Sequence, residues 1–123
     1  MNLIKQTKQL IEECDASTNR FFKMRELDAT PLFFEEVKPH ADQIQAMLND
    51  WQQAANSWIR QNQPKYIHEI QIANAVEAMN QFVVQSFYKE TSKKRIIQSI
   101  QSVHYTLSNF LRVLEEGDND AVK

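Results

Sequence analysis

Residues 68–72 read His-Glu-Ile-Gln-Ile. A histidine in place of Ile72 would make this the H-E-x-x-H stretch of zinc proteases. There two imidazoles stand one helical turn apart, with the glutamate as general base. Ile72 fills the second ligand position instead, and it opens an apolar stripe through Val76, Met79 and Val83. It therefore has a packing reason to be isoleucine. The stretch reads as the start of an ordinary helix, with His68 and Glu69 in the first turn and Glu69 complementing the positive end of the helix dipole. Di-iron bundles need Glu-x-x-His pairs, but the residues three before His40, His68 and His104 are Val37, Lys65 and Gln101. The three histidines fall on three different helices. His40 and His68 lie near the starts of consecutive helices, at opposite ends of an antiparallel pair. At about 1.5 Å per residue, the run from His40 to Asn62 spans about 33 Å, so these two imidazoles cannot share an ion. His104 lies midway along the last helix and is expected at the edge of the core, with a water or backbone partner.

Nucleophilic chemistry finds no better footing. Cys14 occupies a stripe position with no histidine in its helical register, and a buried cysteine behaves as a small apolar residue. The chain holds one glycine, which leaves no material for a G-x-S-x-G elbow, a P-loop or a dinucleotide fingerprint. Trp51 and Trp58 are seven residues apart, which is core spacing. No cofactor, catalytic residue or metal ligand is expected.

Aromatic and basic residues do cluster. Phe21, Phe22, Phe33, Phe34, Phe87 and Tyr88 surround two connections that fall at one end of a bundle, together with Arg20, Lys23, Arg25, Lys89, Lys93, Lys94 and Arg95. Lys93-Lys94-Arg95 opens a helix, where the dipole disfavours positive charge. A locally unfavourable choice can mark a function. The candidate interaction surface is Arg20, Tyr88, Lys89, Lys93, Lys94 and Arg95. The competing reading has the aromatics plugging the bundle end. The lysines would then face the carboxy-terminal dipole of the third helix and pair with Glu26, Asp28, Glu35, Glu36 or Glu90.

Four stretches space their apolar residues alternately by three and four, as helices with one buried face do. The first runs Leu3, Leu10, Cys14, Phe21 and Met24, with Thr7 and Ser17 in phase and Ile4, Ile11 and Phe22 widening the stripe. The second runs Phe34, Val37, Ala41, Ile44, Leu48, Trp51, Ala55 and Trp58. The third adds Ser86, Phe82 and Phe87 to the stripe from Ile72. The fourth runs Ile96, Ile100, Val103, Leu107, Phe110 and Leu114. Thr30-Pro31 is placed to start the second helix, Pro64 the third, and Thr91 or Ser92 to cap the fourth. Gly117 is placed to end the fourth helix in a left-handed conformation. Pro39 lies inside the second stripe and costs about 3 kcal/mol in a helix interior. It predicts either a kinked helix or a short turn over 31–37 followed by the main rod. Short connections make the helices antiparallel, and the spacing favours a shallow left-handed crossing. The expected fold is all-α: an antiparallel, left-handed, up-and-down four-helix bundle over residues 1–117, followed by a frayed acidic tail over 118–123.

The 123 residues make one domain and carry a net charge of −2, which disfavours nucleic acid as a partner. No apolar run approaches bilayer length and no signal peptide is visible, so a cytoplasmic protein is expected. The words "FFEEVKP" at 33–39, "PKYIH" at 64–68, "QSFY" with "KKR" within 85–95, and "YTL" at 105–107 resemble the YppE-like family of small uncharacterised bacterial proteins. The resemblance covers roughly residues 33–110. It implies a four-helix up-and-down bundle and carries over no functional residue. It also suggests that Pro39 and the 64–68 segment are architectural. The expected function is a non-enzymatic interaction module that binds an unknown protein partner, or itself, through a helix face or the aromatic and basic end. One alternative is a small-ligand or metal-binding bundle, which needs a polar pocket between helices. Another is a binder of an anionic partner through Lys93–Arg95, with strong salt dependence.

Overall fold

The computed structural model describes the backbone of residues 2–122 and the side chains of residues 2–117. Four helices carry it: α1 (Asn2–Glu26), α2 (Lys38–Asn62), α3 (Glu69–Gln85) and α4 (Lys93–Val122), with a π-helical turn over Phe33–Val37 ahead of α2. No strand occurs among the described residues. Each helix packs on its neighbours in sequence, and α4 closes the ring against α1. α2 and α4 face each other across the core, where Trp51 and Trp58 meet Phe110 edge-on with ring centroids 6.0 and 5.8 Å apart. The chain is an all-α, antiparallel four-helix bundle.

The stripes explain the core. All six members of the α4 stripe are buried, as are Ile72, Val76, Met79, Phe82, Val83 and Phe87 from the α3 segment. α1 is less apolar inside: Thr7 and Ser17 are fully buried on its stripe, and Glu13 is buried beside Cys14. Thr7 donates to the Leu3 carbonyl at 2.8 Å and accepts the Trp51 indole N–H at 3.0 Å, so this polar pair is satisfied. On α2 the stripe starts only at Val37. Phe34, expected inside, is 78% exposed.

That difference follows from Pro39. Of the two expected forms the chain takes the second, a short turn followed by the main rod, with the turn beginning at Phe33 rather than at Pro31. The wide turn at 33–37 comes first, with the Lys38 N–H bonded to the Phe33 carbonyl. α2 then begins with Pro39 in its first turn. There the missing N–H costs nothing, and the widened turn spares the clash with the carbonyl four residues back. Thr30 does not cap the helix; Leu32 precedes the turn and makes no side-chain cap.

Two further boundaries, the start of α3 and the end of α4, differ from the sequence reading, and the ends of α1 and α2 are set by residues it did not single out. α1 ends in a Schellman motif, in which the Ala29 N–H reaches the Met24 carbonyl at 3.0 Å and the Asp28 N–H the Arg25 carbonyl at 3.2 Å. Asp28 holds the left-handed position at φ 50 that glycine usually fills. α2 ends in the simpler left-handed motif at Gln63, φ 46, whose N–H reaches the Ile59 carbonyl at 2.8 Å; Pro64 has no N–H to complete a Schellman pair. Pro64 does not start α3. Residues 64–68 are non-helical, and His68 is the N-cap residue rather than part of a first turn. Its backbone N–H donates to Gln71 Oε1 at 2.7 Å, one half of a capping box. Gly117 does not end α4, which continues to Val122. No glycine has positive φ. The side chains of the expected tail, 118–123, lie outside the described residues. Ser92 does begin α4, with its hydroxyl accepting the Arg95 N–H at 3.4 Å.

Two ion pairs clasp the connections. Arg60 and Glu69 pair through two contacts, at 2.8 and 3.2 Å, across the α2–α3 connection. At the other end Lys89 Nζ donates to Asp28 Oδ1 at 2.7 Å and to the Asp28 carbonyl at 3.1 Å. The first and third connections therefore meet at one end, with His40 beside them. His68 caps α3 at the opposite end.

Candidate functional site

The end built from the α1–α2 and α3–α4 connections has an inner and an outer layer. The inner layer centres on Glu13. Its Oε2 lies 2.9 Å from His40 Nε2 and accepts from the Ser17 hydroxyl at 3.2 Å and from the two terminal nitrogens of Arg20 at 3.3 and 3.4 Å. A terminal nitrogen of Arg20 also lies 3.2 Å from His40 Nε2. Since a guanidinium only donates and a carboxylate only accepts, Nε2 serves the carboxylate in one tautomer and the guanidinium in the other. Arg20 also donates to the Ser86 hydroxyl at 2.8 Å, and Ser86 donates to the Val83 carbonyl at 2.7 Å. The guanidinium lies 4.6 Å from the centre of the Phe87 ring, a cation–π contact. His40 meets the same ring edge-on at 5.9 Å. α1, α2 and α3 are thus tied at this end by one carboxylate and one guanidinium.

This arrangement does not assemble nucleophilic chemistry. Ser17 and His40 converge on the same carboxylate oxygen instead of on each other. A second cluster has the residue types of a hydrolytic triad: His104 Nδ1 lies 3.3 Å from Ser108 Oγ, and its Nε2 lies 3.6 Å from Asp15 Oδ1. The aspartate contact exceeds hydrogen-bond reach. Ser108 sits inside α4, where backbone N–H groups are spent on the helix ladder and cannot cradle an oxyanion. His104 is therefore an edge-of-core residue, as expected from sequence, and its neighbours within the chain are the Ser108 and Asp15 side chains. Cys14 is fully buried and free, and burial pushes its thiol up to about 12. Among the described residues no three His, Cys, Asp or Glu side chains gather as metal ligands.

The outer layer is apolar and charged. Phe22, Leu27, Leu32, Phe33 and Phe34 are all exposed, between 42% and 78%. Phe33 and Phe34 meet edge-on at 5.1 Å. Lys93, Lys94 and Arg95 are exposed at the start of α4. Lys93 Nζ lies 5.5 Å from the Phe22 ring centre, and none of the three forms an ion pair among the described residues. Of the six residues proposed from sequence, these three lie on the open surface. Lys89 is engaged with Asp28, which holds the Asp28 carboxyl below its ordinary value and raises Lys89. Tyr88 is half-buried. Arg20 is a correction: its side chain is only 19% exposed and turned into the Glu13 network. Burial of the short Glu13 and Ser86 partners draws it inward.

A separate cleft of about 380 Å³ lies between the α2–α3 connection and α4, lined by Pro64, Tyr66, Ile67, Tyr105, Asn109 and Arg112 among others.

Comparison with known proteins places this architecture. Residues 7–114 match the family described as "Bacterial domain of unknown function (DUF1798)". The chain belongs to this family. It is 30% identical over 105 residues to the Bacillus subtilis (strain 168) relative named Uncharacterized protein YppE, covering 85% of each chain. The crystal structure of the Bacillus subtilis protein superposes with a TM-score of 0.91 at 27% identity, covering 96% of each chain. A crystal structure from Listeria innocua gives a TM-score of 0.90 at 23% identity over 95% of this chain and 94% of that one, which supports the fold alone. The family's description assigns no residue a role, so the site is argued from geometry.

Sequence reasoning missed Glu13, Ser17 and Ser86 as a cluster, and it left His40 without a partner. A readable signal existed. Thr7 and Ser17 fall on the α1 stripe and Ser86 on the stripe that begins in α3, so polar atoms had to be satisfied inside the core.

Proposed function

We propose that the protein is a non-enzymatic interaction module of the cytoplasm, which engages a protein partner through the aromatic and basic end. The observation that carries this reading is the outer layer: five large apolar side chains exposed around one connection, beside three cations that make no ion pair among the described residues. Contiguous apolar surface rimmed by charge is what partner docking uses. The Glu13–Arg20–His40 network supports the reading by bracing the helix ends that present this surface. The buried cysteine and the lack of any helix long and apolar enough to cross a membrane among the described residues accord with an intracellular site of action.

The test is affinity capture with the native chain, with K93E/K94E/R95E and with F33S/F34S. Loss of the same captured protein in both variants supports the reading. An unchanged set of captured proteins in both removes this end from consideration.

The cleft beneath Tyr66 and Tyr105 favours a second reading, a small-ligand-binding bundle. Its volume lies within the range of ligand pockets, about 300–1,000 Å³. A ligand screen by NMR on the native chain and on Y66A/Y105A separates the two: shifts confined to the cleft and lost in the variant would favour this one.

A further inference from the structure

We propose that the occupant of the aromatic and basic end is a second copy of the same chain, in a two-fold, tip-to-tip dimer. This rests on the interaction reading above and names its partner.

The argument starts from where the charges sit. Glu35 and Glu36 are exposed on the turn that leads into α2, next to Phe33 and Phe34. Lys93, Lys94 and Arg95 are exposed on the first turn of α4, next to Phe22. Both sets lie at one end of the bundle, and they are opposite in sign. Neither takes part in an ion pair among the described residues. Lys23 and Arg25 reinforce the basic side, and Glu26 and Glu90 moderate it.

The ring order explains why they do not meet within one chain. Helices run α1, α2, α3, α4 around the bundle, so α2 and α4 occupy diagonal corners. With neighbouring axes about 9 Å apart, diagonal axes are about 13 Å apart.

The same diagonal makes the end complementary to itself. Consider a two-fold axis lying in the end face along the line from α1 to α3. Rotation about it lays the partner's α2 turn over this chain's α4 start, and this chain's α2 turn over the partner's α4 start. Both acid–base contacts then form together, as an isologous interface requires. The α1 corner, with Phe22 and Leu27, faces its own copy on the axis, so these two fall between the charged corners, while Phe33 and Phe34 stay beside Glu35 and Glu36 at the α2 corner. The other diagonal, from α2 to α4, would instead set each charged corner against its own copy.

A standard interface takes about 800 Å² from each partner, about a tenth of the 7738 Å² that this chain exposes. One bundle end is at the small side of that range. The dimer is therefore a concentration- and salt-dependent equilibrium rather than a permanent assembly.

The experiment is sedimentation of the full chain over a range of concentrations at low salt, with five samples. The native chain is expected to dimerise. K93E/K94E/R95E and E35K/E36K alone are each expected to weaken dimerisation at least about tenfold, because like charges then face each other at both corners. An equimolar mixture of these two variants is expected to form a heterodimer, since each supplies the charges the other lacks. The chain carrying all five substitutions is expected to dimerise again. A native chain that stays monomeric overturns the proposal, as does a mixture that fails to associate while the native chain dimerises. The capture experiment is read independently. A monomer whose captured partner still depends on this end would sink the dimer and leave the interaction reading standing.

Discussion

Glu13 Oε2 gathers Ser17, Arg20 and His40, and its side chain is only 9% exposed. Removing one member of a buried ion pair leaves the other charge without compensation. Glu13→Ala should therefore destabilise the fold by about 3 kcal/mol, measured by urea unfolding. A loss below about 0.5 kcal/mol, the range of ordinary surface changes, would show that the network braces nothing. Cys14 gives a second residue-scale expectation. Its thiol stays protonated in the fold up to about 12, against 9.0 ordinarily. Above pH 9 the unfolded chain releases that proton and the folded chain keeps it. Stability should fall as pH rises from about 9 toward 12, and Cys14→Ala should flatten that slope. The thiol should also resist a disulfide reagent at pH 8 until denaturant is added. Cys14 was readable as a core residue because it keeps the stripe's phase. Glu13 was not, because a carboxylate is among the side chains least often buried without a partner, and its partners come from α1 itself and from α2.

Helix boundaries separate what local pattern dictates from what packing imposes. The α4 stripe was legible in full, because its six apolar residues repeat without a gap. The ends were not. Asp28 and Gln63 take the left-handed role, while Gly117 sits inside a helix with a Cβ position in ordinary contact, 3.5 Å from Trp58 Cζ2. Two substitutions follow with opposite chemistry and the same sign. Gln63→Gly should stabilise by about 1 kcal/mol by relieving a left-handed non-glycine residue. Gly117→Ala should stabilise by roughly 0.5–1 kcal/mol by restoring a good helix former. Thermal melts of both variants check this. A lower melting temperature for Gly117→Ala would return the glycine to a terminating role. The clasp between connections can be titrated directly. Lys89 depresses the Asp28 carboxyl and is itself raised. The contribution of Asp28 is present above its ordinary 3.8 and lost as pH falls through its lower folded value. That of Lys89 is present below 10.5 and lost as pH rises through its higher folded value. In Lys89→Met the Asp28 carboxyl, followed by NMR, should titrate closer to 3.8.

At the scale of the whole molecule, one core cluster runs through all four helices. Unfolding followed by tryptophan fluorescence and by helical circular dichroism should therefore give superimposable curves, as two-state behaviour requires. Separate midpoints would mean that the end layer melts before the core. The alternating order of the rods was legible because connections too short to cross the bundle leave no other arrangement. The diagonal placement of opposite charges was not, because it exists only once the rods are arranged around a common centre. The turn at 33–37 has one further consequence. It stores an extra residue, so it works like a tooth on a ratchet. Excising any single residue there would spin α2 by about 100° and swing Ile44, Leu48 and Trp51 toward water. A similar excision from residues 29–31, which belong to no helix, would only tighten slack. Indel scanning of a gene library should tolerate the second deletion and eliminate the first.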